Sequence, residues 1–177
     1  MTKIEELTKK ICDVEKVVDE LKSEVKNLVK KGIDAIFNPD AVEWVDLGLP
    51  SGRLWAKENA PGFYNWDEAN KQFGRFLPSA VAMVELYEEC DWEWDGSKKG
   101  YLVTGPNDNS IFLPAAGYKD TDGDVSCVGT VGEYWTSCPS KTSQTNARRL
   151  NFNSGDVYPL NNDNRAYGFS VRPSREL

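Results

Sequence analysis

The sequence predicts an α+β domain, with two early helices followed by a small, twisted, largely antiparallel sheet with long loops, preceded by an α-helical coiled coil. Three observations predict it: an unbroken heptad over residues 4–28, a change to strand-like alternation at Val42, and short apolar segments punctuated by turn residues from Cys90 onward. The expected boundaries are a coiled-coil stem over residues 1–36, a linker over 37–43 and a folded domain over 44–177.

The heptad places Ile4, Ile11, Val18 and Val25 at one seam position and Leu7, Val14, Leu21 and Leu28 at the other, with Glu and Lys on most outer positions. β-branched residues at the first position with Leu at the second favour two strands. Val14 departs from that rule, and Val17 and Val29 widen the apolar stripe, so a trimer is favoured, with a dimer as the alternative. A single amphipathic helix folding back on the domain is the third arrangement the pattern allows. Gly32 and Asn38-Pro39 mark the end of the helix and the start of the next unit.

Val42 and Trp44, then Leu47 and Leu49, predict a strand. A turn at Pro50-Ser51-Gly52 and a return through Leu54-Trp55-Ala56 follow. Asn65 is placed to cap a helix over Trp66 to Phe73, and Ser79 a second over Ala80 to Glu89. Trp92 and Trp94 alternate with acids. Tyr101–Thr104 and Ser110–Leu113 flank the turn Gly105-Pro106-Asn107-Asp108-Asn109 as a hairpin. Tyr134–Thr136, Ala147–Phe152 and Phe169–Arg172 predict three further short strands, with a bulge or early strand end at Ala147, which is out of phase with Leu150 and Phe152.

Composition narrows the function classes. The charges of the first forty residues nearly cancel, so the net charge of −7 rests almost wholly on the remainder, which repels phosphate backbones and disfavours nucleic acid as a partner. No apolar run approaches the roughly 20 residues of a membrane span. The charged start lacks the apolar core of a secretory signal, so if it is the native start the usual export route is closed. The chain has no His, the commonest general base and zinc ligand. Cys12, Cys90, Cys127 and Cys138 show no metal-ligand spacing; incidental thiols are favoured over a disulfide, for which Cys127 with Cys138 is the pair to consider. Asp120, Asp122 and Asp124 around Gly123 are a weak calcium candidate, because residue 131, where an EF-hand would place its bidentate Glu, is Val. No cofactor is expected.

The last third, Tyr134 to Pro173, mixes apolar anchors with runs of Asn, Ser, Asp and Tyr. Asn161-Asn162-Asp163-Asn164 reads as surface loop by its turn chemistry, while Tyr contacts cushioned by Ser, Asn and Gly are the composition of evolved binding surfaces. This segment is expected to be a displayed, ligand-contacting face. The candidate contact residues are Asn146, Arg148, Arg149, Asn151, Asn153, Asp156, Tyr158, Leu160, Asn162, Asp163, Asn164, Ala166 and Tyr167, with Trp135, Leu150 and Phe152 turned into the core.

VDLGLPSGRLWA at 45–56, the helix leading into Cys90-Asp91-Trp92-Glu93-Trp94, VTGPNDNSIFLPAAGY at 103–118, GEYWTS at 132–137 and GFSVRP at 168–173 occur in one order. Together they resemble the C-type-lectin-fold domains common in Bacteroidales proteins and their phages, and more narrowly the variable proteins of diversity-generating retroelements. The resemblance covers about residues 42–174. It implies a lectin-type scaffold whose C-terminal segment, about 134–173, is rewritten by adenine-directed mutagenesis. Rewriting both adenines of an AAC or AAT codon never yields Lys, Gln, Glu, Met or Trp, and every residue from Asn151 to Tyr167 lies in the reachable set. Lys141 and Gln144 fall outside it. An Asn-rich loop without that history also explains the composition, though not its confinement between scaffold motifs.

The sequence departs from the family where it has Tyr134-Trp135-Thr136-Ser137-Cys138 in place of YWSST and Arg75-Phe76-Leu77-Pro78-Ser79 in place of an Arg-Leu-Pro-Thr turn. It also lacks the EPN or QPD and WND motifs of calcium-dependent animal lectins. Formylglycine-generating enzymes share the broad fold, but no nucleophile and base are paired in this sequence. The expectation is a non-enzymatic, hypervariable receptor-binding protein, an adhesin displayed on a trimer at a phage tail-fibre tip or a bacterial cell surface, whose partners are itself and a surface protein or glycan. The alternative is an undiversified carbohydrate- or protein-binding module.

Overall fold

A computed structural model describes Val14, residues 16–24 and residues 37–177. The chain divides into two compact units, Met1–Phe37 and Asn38–Leu177. In the first, Val14 and residues 16–24 are helical, and Val14, Val17, Val18 and Leu21 expose their apolar side chains. The remaining heptad positions and Gly32 lie outside the described residues. The coiled coil of the expected stem is therefore not among the described features, which amount to a short, solvent-facing helical segment. Among the described residues no helix is long and apolar enough to cross a membrane.

The second unit is mixed α+β. A short 3-10 turn, Pro39–Ala41, opens it, with the Asn38 side chain accepting from the Asp40 N–H. Strands β1 (Trp44–Asp46) and β2 (Leu54–Ala56) pair antiparallel, and β11 (Ser174–Arg175) pairs with the other edge of β2, so the beginning and end of this unit share one sheet.

Helix α1 (Trp66–Phe73) starts at a full capping box, in which Asn65 accepts from the Glu68 N–H and the Glu68 carboxylate accepts from the Asn65 N–H. Helix α2 (Ala80–Glu89) starts where the Ser79 side chain accepts from the Ala82 N–H. Both helices occupy the predicted residues.

A three-stranded meander follows: β3 (Asp91–Asp95), β4 (Gly100–Thr104) and β5 (Ser110–Pro114), all antiparallel. A small hairpin of β6 (Tyr118–Lys119) and β7 (Val125–Ser126) leads to the sheet that matters most here, β8 (Gly132–Pro139), β9 (Asn146–Phe152) and β10 (Val157–Asn164), ordered β10-β9-β8.

β9 is the middle strand and is buried on both faces. On one side Leu150 and Phe152 join Tyr134, Tyr101, Leu86, Met83 and Trp55 in the main core, with Tyr101 edge-on to Phe152 at 5.3 Å and Tyr134 stacked on it at 5.8 Å. Gly132 lies opposite Phe152 in the ladder, and a Cβ there would collide with the Phe152 ring. On the other side Trp135 packs on Phe169 at 4.2 Å, and its indole N–H donates to the Tyr64 carbonyl over 2.8 Å. Burying an aromatic side chain of this size contributes about 1.5–3 kcal/mol.

Two predicted features differ. Phe169–Arg172 is not a strand: Phe169 bridges Tyr64, Ser170 bridges Tyr134 and Gly168 bridges Lys119. With its hydrogen bonds divided among three neighbours, the segment forms no continuous ladder. It is held instead by Arg172, fully buried, which donates to the carbonyls of Ala56, Lys57 and Phe112. The second difference is β10, which occupies residues expected to be loop. The irregularity expected at Ala147 is present, on the neighbouring strand, where Trp135 pairs with Arg149 and Pro139 with Ala147, leaving three residues of β8 opposite Arg148.

Candidate ligand-binding face

β10 is a strand because β9 supplies its partners, not because its own sequence alternates. Pairing runs from Val157 with Phe152 to Asn164 with Asn146, broken between Tyr158 and Asn161. Pro159 and Leu160 fall in that break opposite Leu150, a place where a residue without an N–H costs no ladder bond. β10 is also an edge. Its polar side chains satisfy part of their own backbone, Asn161 Oδ1 accepting from the Asn162 N–H at 2.9 Å and Asp163 Oδ1 from the Asn164 N–H at 2.8 Å. Polar self-capping of this kind leaves the edge less available to another strand. The turn into β10 is closed by Asn153, whose side chain accepts from the N–H groups of Gly155 and Asp156.

The register sorts the candidate residues onto both sides of the sheet. Asn151, Tyr158 and Asp163 share one side with Arg149. Asn146, Arg148, Asn162 and Asn164 share the other, where Asn146 donates to the Asn162 side chain at 3.2 Å and Arg148 donates to the Leu160 carbonyl at 3.2 Å. There Leu160 and Arg148 line a shallow apolar groove with Val81 and Val84 of α2 and with Cys138 and Pro139. Asn164 and Ala166 border an open depression beside Asn65 and Asp67 at the start of α1 and Lys71 in its last turn, and Arg165 lies over the Trp66 ring at 4.1 Å. The candidates thus surround one edge strand and do not lie on one flat face. Asn153, Asp156, Tyr158, Leu160, Asn162, Asn164 and Ala166 are exposed, and Asn146, Arg148, Asn151, Asp163 and Tyr167 are half-buried.

Arg149 is placed differently from the other candidates. Only 8 % exposed, it lies below the face, paired with Glu133 of β8 and, at 3.1 Å, with Asp163 of β10, its guanidinium 5.4 Å from the centre of the Phe169 ring. Its position between two carboxylates makes it a support for the strands on either side of β9. Glu133, 5 % exposed, also accepts from the Asn151 amide at 2.9 Å. Burial pushes its carboxyl up to about 7, with repulsion from Asp163 added, against the pull of Arg149 and Asn151.

Glu133, Asp163, Tyr118, Tyr167 and Phe169 line a small pocket of about 180 Å³ on this side of the sheet. Sequence reasoning had only Asp163 and Tyr167 of these five. Glu133 carried a signal, an acid inside the apolar run Gly132–Thr136 and in phase with Trp135, which alternation turns inward. Tyr118 and Phe169 come from distant segments and carried none.

The acidic turn between β6 and β7 is organised internally: the Asp120 carboxylate accepts from the N–H groups of Asp122 and Asp124, and the Asp120 N–H donates to the Asp124 carbonyl. Among the described residues no cluster of three or more carboxylate, thiol or imidazole groups is arranged to hold a metal ion. Cys90, Cys127 and Cys138 are free thiols, and Cys138 Sγ accepts from the Ala80 N–H at 3.3 Å. Burial, and then the acids Asp91, Glu89 and Glu85, push the Cys90 thiol up to about 11, away from the thiolate that a nucleophile requires.

Residues 92–174 match a family model described as a domain of unknown function, DUF8237. The match takes in the meander from its second residue, the whole β8–β9–β10 sheet and the pocket. No curated protein and no solved structure matches the chain.

Proposed function

We propose that this chain is a hypervariable ligand- or receptor-binding protein, a non-enzymatic adhesin in which a C-type-lectin-like scaffold presents the β10 rim to a cell-surface protein or glycan. In this reading it is a variable protein of a diversity-generating retroelement. Its heptad stem assembles three copies, at a phage tail-fibre tip or on a bacterial surface. Repeated display raises modest single-site affinity by avidity wherever the target surface repeats its ligand.

The observation that carries the reading is the division of work within one sheet. Every residue from Gly132 to Thr136 on β8 is buried, whereas Tyr158, Asn161, Asn162 and Asn164 on β10 are exposed while their backbone stays in the ladder, and Leu160 is exposed in its break. Each of these exposed residues lies in the set that adenine substitution can reach, as does buried Phe152. The heptad supports a trimeric stem, and the exposed Val14, Val18 and Leu21 are apolar positions that a partner helix would cover.

The test is replacement of Asp156, Tyr158, Leu160 and Asn162 together by Ala, followed by binding to whole host cells. Binding falls at least tenfold while near-ultraviolet circular dichroism and Tm stay close to those of the unaltered chain. Unchanged binding contradicts the proposal.

A further inference from the structure

We infer that the pocket formed by Tyr118, Glu133, Asp163, Tyr167 and Phe169 is a subsite for an alkylammonium group, the head of a ligand whose remainder lies along β10. The inference rests on reading that strand as the ligand-contacting rim.

Three rings form the apolar part. Tyr167 and Phe169 are parallel, 6.2 Å apart with 5° between their planes, and Tyr118 stands perpendicular to both at 5.9 and 6.4 Å. Aromatic rings lining a common space can attract a cation through their quadrupoles. Carboxylates form the polar part: Glu133 is almost wholly buried, and Asp163 keeps about a third of its side chain open, at 34 %.

The charge balance selects the sign of the ligand. Two carboxylates share one guanidinium, since Arg149 donates one terminal nitrogen to Glu133 and the other to Asp163. With both acids ionised, as they are above about pH 7, the set is one positive charge short of neutral. Arg149 is not among the pocket-lining residues, so an incoming group meets two carboxyl groups, two phenols and a phenyl ring, with no cation lining the pocket to receive an anion. A monocation supplies the missing charge, and its carbon-bound hydrogens suit the rings. A neutral polyol can donate its hydroxyls to the two carboxylates, but it leaves the net negative charge uncompensated. A volume of about 180 Å³ accommodates one ammonium head and a short stem.

The experiment titrates the full chain with n-butylammonium, tetramethylammonium and n-butanol, following the ring protons of Tyr118 and Tyr167 by nuclear magnetic resonance. At least one cation binds saturably and the neutral isostere does not. Saturation by n-butylammonium identifies a lysine-like donor, and by tetramethylammonium a choline-like head. Tyr118→Leu and Asp163→Asn each weaken binding by about tenfold, the scale of a desolvated cation–π or ion-pair contact. Tyr118 lies outside the proposed exchangeable positions and has no charge partner to lose, so its variant stands as the test should Asp163→Asn disturb Arg149. No saturable binding of either cation, equal binding of n-butanol, or unchanged affinity in Tyr118→Leu overturns the inference. Retained cell binding in that case removes the subsite and leaves the rim proposal intact.

Discussion

β8 and β10 are hydrogen-bonded to the same strand, yet they treat their side chains in opposite ways. Between Gly132 and Thr136, β8 is buried throughout, Tyr134 and Trp135 reaching opposite sides into two apolar clusters. β10 has the same neighbour, the same antiparallel ladder and a comparable length, but Tyr158 is 48 % and Leu160 40 % exposed. The lesson is that a strand's backbone can be fixed by its partner and by a few inward side chains, here Val157 and Asp163, while its exposed side chains contribute little to that fixing. Such a strand can change its exposed residues without changing its path.

The largest effect that bears on this contrast belongs to β8. Trp135→Ala removes the ring on Phe169 and the bond to the Tyr64 carbonyl, and is expected to cost about 3–5 kcal/mol, read by urea denaturation. A loss as small as that of a rim substitution would erase the difference between the strands.

A smaller and pH-dependent effect belongs to Glu133, at the boundary between them. Its folded-state pKa of about 7 lies above the ordinary 4.5, so the neutral acid is the form that favours the fold. The groups facing it are Arg149 and Asn151 from β9 and Asp163 from β10. Its contribution is fully present below about pH 4.5 and is lost as the pH rises through about 7. Glu133→Gln, neutral at every pH, should therefore gain stability relative to the unaltered chain between pH 5 and 8, as paired melting curves will show. A parallel pair of curves would mean that Glu133 is ionised throughout and that Arg149 outweighs burial.

The smallest expected effect sharpens the contrast from the other side. Tyr158→Ala and Asn162→Ala should each change stability by no more than about 0.5 kcal/mol, the range of exposed substitutions away from caps and cores. A cost near that of Trp135→Ala would show that β10 is packed.

The same contrast explains what could be read from the chain. The helices were legible to the residue because their signals are local: Asn65 with Glu68 and Ser79 with Ala82 mark their starts within four residues. Trp135, Leu150 and Phe152 were legible as core from alternation and size. β10 was not, since Val157-Tyr158-Pro159-Leu160-Asn161-Asn162-Asp163-Asn164 contains a Pro and three Asn, and what makes it a strand is the unpaired edge of β9. Arg149 was misplaced on the surface for a related reason. Its residue type argues for exposure, and only Glu133 and Asp163, 16 and 14 residues away, make burial affordable. The pocket needed contacts between Tyr118, Glu133 and Phe169 that no sequence period expresses. Its cationic preference follows from a charge balance visible only when those segments meet.

The most direct measurement compares two libraries in the full chain, one randomising Tyr158, Leu160, Asn162 and Asn164 and the other Tyr134, Trp135, Leu150 and Phe152, each scored by protease resistance of displayed molecules. A rim whose path is set by β9 predicts that most members of the first library resist cleavage and few of the second do. Equal survival in the two would contradict the account.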